Sequence, residues 1–494
     1  MGVNIILSMI MKNEHRAGVL LRGLETIKHI FQYYAISDTG SDDGSVRVVE
    51  KWMKDNGKTG IIRVHPWEDD FGKHRTIAIN LAYEWIHVID PKGEHEFFAM
   101  FHDADNQALP YDVAVPKTLE EAKAVKKFPW NRDDRKKIKG HHRIKARMSS
   151  GSGHFYTYTW MVNLGTNLKP EKWRWLCCRH EYVDFMGKSN APVKFAEGGY
   201  VHSGRDGARG KIKVGNEWKE NIPIEKYLKD AIAIERELDD PTSQSPKPRL
   251  VFYLANSYKD AGWWERAAEN YQKRIYMGDY MEEVYHSYLM LFSMMINLGK
   301  NADEYMHLLL EAANLSPHRL EAIHTYVVNM ERKGRWAAAW LAGKSFIGTP
   351  VPANDHLFVQ TSLYEYEFNL KMLRVLYYAG IYKVNADLAQ GKIRDFDKEK
   401  FNIVFHNKAK EYRALVQSLL KNDYIKDKTI LDEYIRNTLG IYTEEEKSIL
   451  YKLLGTNKPT IEDALQKGQL DILDNEKEYL NIEDADDGPL GNLL

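Results

Sequence analysis

The strongest constraint on this chain is the way its first hundred residues switch between two hydrophobic periods. Asn4 to Met11 is a short apolar run and reads as a buried strand. Leu20, Leu24, Ile27 and Phe31 then recur at helical spacing, which predicts one helix face within Glu14 to Phe31. Tyr33 to Ser37 is strand-like again. It stops at Asp38-Thr39-Gly40-Ser41-Asp42-Asp43-Gly44-Ser45, a cluster of turn and N-cap residues. Val46, Val49 and Met53 mark a second helix, Ile61 to Val64 a third strand, and Ile77, Leu81, Trp85 and Val88 a third helix. Glu96 to Phe101 completes the series as a fourth strand. This alternation predicts an α/β domain, a mostly parallel Rossmann-like sheet with helices on both faces. Ligands of such sheets bind beyond the carboxyl ends of the strands. The polar clusters Lys12 to Glu14, Asp38 to Ser45 and Asp103 to Asp105 all fall there.

At 494 residues the chain exceeds one ordinary domain. Residues 1–215 read as the α/β domain, with a basic insert at 117–147 that holds twelve Lys or Arg against four acids. Residues 216–248 read as a helix and a linker, rich in Pro and Ser from Asp239 to Pro248. From 249 to 383 the pattern is all-α. Leu254, Ala255, Tyr258, Gly262, Ala267 and Tyr271 fit tetratricopeptide spacing. Gly299 follows Gly262 by 37 residues and Gly334 follows Gly299 by 35, near the period of about 34 of such repeats. Glu304 stands in the second copy where a small residue is expected, and Ala339 restores it in the third. Residues 384–470 read as helical without a motif. Residues 471–494, with eight acids and one lysine, read as a disordered tail.

A net charge of −1 excludes a uniformly basic coat for nucleic acid. The longest apolar run, Leu289 to Met295, falls short of the roughly 20 residues of a membrane span. No basic stretch precedes an apolar one at the N-terminus, so the expectation is a cytoplasmic protein without a secretory signal. The two cysteines, Cys177 and Cys178, are adjacent and cannot staple distant segments, which fits a reducing compartment.

Asp103 and Asp105 stand at i and i+2, so an extended strand end projects both carboxylates to one face. Paired hard oxygens suit Mg²⁺ or Mn²⁺, which leave coordination positions for water and a diphosphate. A plain turn would carry the same residues, so the neighbouring motifs decide. They run in order: Lys12-Asn13-Glu14 after a strand; Asp38 to Ser45; Trp67 with Asp70-Phe71-Gly72-Lys73-His74-Arg75; Asp103-Ala104-Asp105; His180-Glu181; and His202-Ser203-Gly204. Over residues 3–205 the chain resembles the family-2 glycosyltransferases of the GT-A fold, in the branch that carries a C-terminal tetratricopeptide domain.

The resemblance implies a metal-dependent, inverting transfer of a sugar from a nucleotide-diphosphate donor, most commonly a UDP-sugar, to a protein, peptide or glycan acceptor. Lys12, Asn13, Glu14 and Asp38 would bind the donor. Asp70 and Arg75 would lie near its base and phosphates, where an arginine fork suits a diphosphate. Asp105 and His202 would ligate Mn²⁺ or Mg²⁺, and Asp103 the ribose or the metal. The ion would stabilise charge on the leaving diphosphate. Glu181 would serve as general base, oriented by His180. Each residue also has a plainer reading: Arg75 as a surface cation, Glu181 as a surface acid beside Arg179, His202 as structural. Trp160, Trp173 and Trp175 are either a sugar-stacking wall or core.

Two departures from the family fall where the acceptor should lie. Thr76 replaces a usual Asn near the donor, but Tyr158 to Asn163 lacks the family's arginines and the basic insert is long. One alternative therefore puts a nucleic acid in the acceptor site, held by 117–147 with Trp130, His141 and His142. Another is a non-catalytic scaffold built on the repeats. Helical repeats offer surfaces for presenting an acceptor or for homodimerisation.

Overall fold

The structure is a computed structural model and describes residues 2–130, 132–149, 155–204, 211–214, 217–220 and 223–352, with most of 355–379. The expected regions 384–470 and 471–494 lie outside the described residues.

Four parallel strands form the heart of the first unit: β1 (Gly2–Met11), β2 (Tyr33–Asp38), β3 (Thr59–Val64) and β4 (His95–Phe101), in the order β3-β2-β1-β4. Met11 stands opposite Asp38, so the first two polar clusters leave the sheet side by side. The helix expected from Glu14 to Phe31 is broken. α1 (Glu14–Ala17) ends at Gly18, which turns left-handed at φ 77°, and α2 (Leu20–Ile27) starts afresh, leaving Phe31 buried beyond its end. α3 (Ser45–Asp55) and α4 (Phe71–Ile89) follow as expected.

Alternation along the strands feeds two cores. Ile5, Leu7, Met9 and Met11 pack with Leu20 and Leu24 of α2 and Val49 and Met53 of α3. Ile6, Ala35, Phe97 and Ala99 pack on the other side with Ile79, Ala82 and Ile86 of α4. Each of the buried Ile, Leu, Val, Met and Phe side chains contributes about 1.5–3 kcal/mol.

The sheet continues through β5 (Gln107–Pro110), then, after short helices α5 (Leu119–Ala124) and α6 (Arg132–Lys137), through β6 (Arg143–Ser149), β7 (Phe155–Thr166) and β8 (Lys169–Pro170). β7 runs antiparallel to both β4 and β6, which makes the sheet mixed. β9 (Trp173–Leu176) and β10 (Tyr182–Phe185) form a separate antiparallel pair, and β11 (Val193–Phe195) and β12 (Gly199–His202) return to the main sheet beside β6. A hairpin of β13 (Lys211–Val214) and β14 (Glu217–Glu220) precedes the helices. The domain is α/β and Rossmann-like, followed by helices, as the sequence pattern predicts.

α7 (Pro223–Asp239) packs on α8 (Lys247–Asp260), so the Pro/Ser-rich stretch between them is a turn. Three helix pairs follow the spacing read from the glycines. α8 with α9 (Trp264–Met277) flank Gly262, α10 (Met281–Asn297) and α11 (Ala302–Leu315) flank Gly299, and α12 (Glu321–Arg332) with α13 (Trp336–Gly343) flank Gly334. All three glycines are left-handed, with φ of 66–75°. Ala267, Tyr271 and Ala339 are fully buried, while Glu304 is exposed. The chain divides into two compact units, one ending at Ser287 and the other beginning at Tyr288. No helix among the described residues is long and apolar enough to cross a membrane.

Candidate functional site

The first two polar clusters interlock. Asn13 is left-handed (φ 58°) just past β1; its amide donates to Ser41 Oγ (2.9 Å) and its Oδ1 accepts from the Asp42 amide (2.9 Å). The His15 amide donates to Ser45 Oγ (3.0 Å) and the Arg16 amide to Asp43 Oδ2 (2.7 Å). Asp38 is 1% exposed, and its carboxylate accepts from the Gly40 and Ser41 amides and the Ser41 hydroxyl. In this arrangement Asp38 shapes its own loop. Lys12 is exposed at the strand end and Glu14 opens α1.

Asp70 is the N-cap of α4, accepting from the Lys73 amide at 2.8 Å. Burial, aided by the charge of Glu237, raises its pKa. One turn further on, Arg75 joins two of the other motifs. Its Nε donates to Glu181 Oε1 at 2.7 Å and its Nη1 meets Asp103 Oδ1 at 2.8 Å. The guanidinium also lies 5.1 Å from the ring centre of Trp175, which is braced edge-on by Phe101. Burial alone would lower the Arg75 pKa, but Asp103 and Glu181 overcome it and raise it. For Asp103 burial likewise opposes the charged form, and Arg75 wins, holding the carboxyl below its ordinary value. Arg75 is therefore no loose surface cation and Glu181 no free surface acid. The fork expected at a diphosphate is satisfied here by two carboxylates.

Glu181 owes its position to a cramped corner between β9 and β10. Cys177 and His180 both take left-handed backbone, at φ 69° and 52°. The Cys177 amide donates to Ser245 Oγ and the Cys178 amide to Glu237 Oε2. The His180 ring stacks on Tyr253 with 4.1 Å between centres, and its carbonyl accepts from Arg249 Nη2 at 3.0 Å. His180 thus points to a helix rather than toward Glu181.

The Asp103–Asp105 loop is gripped from two sides. On α2, a Cβ at Gly23 would come within 2.6 Å of the Ala104 carbonyl oxygen and 2.8 Å of that of Asn106. A Cβ at Gly204 would come within 2.9 Å of Asp105 Cγ, so the segment just after His202 lies against Asp105. His202 faces Gln107 across the β12–β5 pair. Beside them His102 is 2% exposed and meets the Asn106 carbonyl at 2.9 Å; burial lowers its pKa to about 4 and keeps it neutral. Among the described residues, no three His, Cys, Asp or Glu side chains stand together as a cation site. Asp103, in particular, faces an arginine.

Tyr158 on β7 escaped the sequence reading. Its hydroxyl is buried without a hydrogen-bond partner, and burial, together with the nearby charge of Asp103, raises its pKa well above the ordinary value. Strand alternation through Phe155 to Val162 could have flagged it, since Trp160, at the same parity, is fully buried. Of the three tryptophans, Trp160 and Trp173 are core and Trp175 alone faces Arg75. Of the stacking residues expected for nucleic acid, Trp130 and His142 are packed inside and His141 is half-buried. Trp130 lies against Trp160 at 5.6 Å, and His142 sits between Trp173 and Phe185. Lys123, Lys126 and Lys137 of the basic insert pair with Glu120, Asp112 and Asp134.

No protein-family model matches this chain, and no curated protein does. Among solved structures it is similar to S. aureus TarS, at 13% identity and a TM-score of 0.28. The likeness covers 63% of this chain and 55% of the other, so the chain spans little more than half of that protein. Similarity at that level does not bear on the activity.

Proposed function

We propose that this protein is a glycosyltransferase moving a sugar from a nucleotide-diphosphate donor, a UDP-sugar, to a hydroxyl of a glycan, protein or peptide acceptor. One observation carries the reading: Arg75, Asp103 and Glu181, drawn from three motifs far apart in sequence, meet within direct contact at the carboxyl end of β4. Two loops that hold Lys12, Asn13 and Asp38 leave the same edge.

Glu181 is the base. Arg75 takes Oε1, aims the carboxylate and keeps it beside a fixed positive charge, while Oε2 is left to accept the proton of an acceptor hydroxyl. Arg75 also supplies positive charge where a diphosphate departs. A carboxylate on the acceptor side of the sugar gives inversion by direct displacement. A divalent cation, Mn²⁺ or Mg²⁺, fits Asp105 and His202 better than Asp103. A carboxylate and an imidazole on adjoining segments would hold such an ion, leaving its other positions for diphosphate and water. When bound, the ion would act as a Lewis acid on the diphosphate. The helix pairs C-terminal to the site in sequence are a tetratricopeptide-like surface for presenting the acceptor or a second copy of the chain.

Donor hydrolysis tests this. The protein with Mn²⁺ and UDP-sugar should release UDP, and Asp105→Ala should reduce the rate by about 10²-fold or more. Equal turnover in the two proteins would remove the metal role, and no release from either would remove the reading.

A further inference from the structure

A cavity of about 190 Å³ opens beside the Glu181 corner, outside the site just described, and is lined by Tyr182, Pro246, Arg249, Arg274, Tyr280 and Glu283. Tyr182 directly follows the proposed base, and Arg249 donates to the carbonyl of His180, which precedes it. The wall is therefore tied to the corner that positions Glu181.

The polar groups of this wall are fixed in advance. Arg274 is 0% exposed. It binds Glu283 Oε2 through Nε and Nη2 at 3.0 and 2.9 Å and donates to the Gly278 and Tyr280 carbonyls. Glu283, 3% exposed at its side chain, reaches Arg249 Nη1 with its other oxygen at 3.4 Å. Arg249 lies over the rings of Tyr182 and Tyr253, at 5.0 and 4.7 Å. Its Nε is buried and makes no hydrogen bond.

We infer that this cavity is a subsite for one neutral sugar ring. Its charges cancel: Arg249 and Arg274 stand against Glu283 and Asp279. A phosphate or carboxylate would have to approach two acids along with the arginines. A polyhydroxyl ring meets what the wall offers, with the Tyr182 and Tyr280 faces for its C–H surface and the exposed Asp279 carboxylate to accept from its hydroxyls. The volume suits a single ring and is smaller than the pockets that hold drug-sized ligands. Calling the bound unit part of the acceptor rests on the transfer reading above. On that reading, the subsite holds the residue next to the one whose hydroxyl is glycosylated, and it favours a glycan over a peptide.

Ligand-observed saturation-transfer NMR on the full chain tests this with glucose, galactose and N-acetylglucosamine as probes and inorganic phosphate as competitor. At least one sugar should give a saturable signal that phosphate does not displace. Tyr280→Ala should weaken it about tenfold, and Tyr280→Trp, which keeps an aromatic face, should retain it. No saturable sugar signal, displacement by phosphate, or equal binding in Tyr280→Ala with an unchanged melting curve would each overturn the subsite. Sugar binding in a wild-type protein that fails to release UDP would sink the transfer reading and spare the subsite. UDP release without sugar binding would do the reverse.

Discussion

Arg75 and Arg179 invite comparison because each binds two carboxylates around the same corner. Arg179 is 4% exposed. Its Nε meets Asp230 at 2.6 Å, its Nη2 meets Asp69, and its Nη1 donates to the main-chain carbonyls of Asp69 and Cys178. It therefore sews α7 and the start of α4 to the strand corner through the backbone itself. The bonds of Arg75 run to two side-chain carboxylates, one of which, Asp103, keeps 41% of its side chain exposed. An arginine filled by carbonyls is committed to the fold. Arg75, by contrast, can give up the half-exposed Asp103 for another anion while it keeps Glu181 and the backbone stays put.

The sharpest way to break this contrast is Arg179→Ala. It removes the guanidinium that the buried Asp230 binds and leaves Asp69 only Arg236 at 4.0 Å, so the free energy of unfolding in urea should fall by about 3–5 kcal/mol. A fall below about 1 kcal/mol would mean that the two arginines do not differ. Arg75→Lys keeps a charge but loses the fork. It should cut UDP release by about 10²-fold, or about 2.7 kcal/mol, while the unfolding free energy moves by less than about 1 kcal/mol. A large stability loss with normal turnover would recast Arg75 as structural.

A smaller effect sharpens the comparison from outside. Burial would lower the pKa of both arginines, yet their carboxylates raise both, so neither changes charge between pH 4 and 8. His324, against Phe368 in the second unit, is lowered to about 4 by burial and by Lys371. The unfolded histidine titrates near 6.5. Between those values the unfolded chain binds more protons, so the stability this group contributes is full above about pH 6.5 and is lost as the pH falls toward 4. His324→Gln should flatten that part of the urea-stability profile of the second unit. An unchanged slope would assign the acid sensitivity to other groups.

Much of the fold was legible because β1, β2 and β4 are largely buried and their apolar runs stop at polar clusters. The helix after β1 was misread for a local reason. Leu20, Leu24, Ile27 and Phe31 keep helical spacing, yet Gly18 takes a left-handed turn and restarts the chain. Spacing records which residues face the core and is silent on breaks between them. The motifs located Arg75, Asp103 and Glu181 but not their mutual contact, since an ion pair between residues 106 positions apart leaves no periodic trace. Tyr158 and the burial of Trp130 were missed for a related reason: composition distinguishes aromatic from charged residues, and the pairing of β6 with β7 decides which are inside.

Gly23 carries a consequence of its own. Its bare α-carbon lets two carbonyls of the Asp103–Asp105 turn rest on α2. A library that samples every amino acid at position 23, scored for UDP release, should return glycine almost exclusively, although a helix interior ordinarily welcomes alanine. The acidic turn would thus dictate the tolerance of a helix with which it shares no sequence neighbourhood, and drift at one would be read in the other.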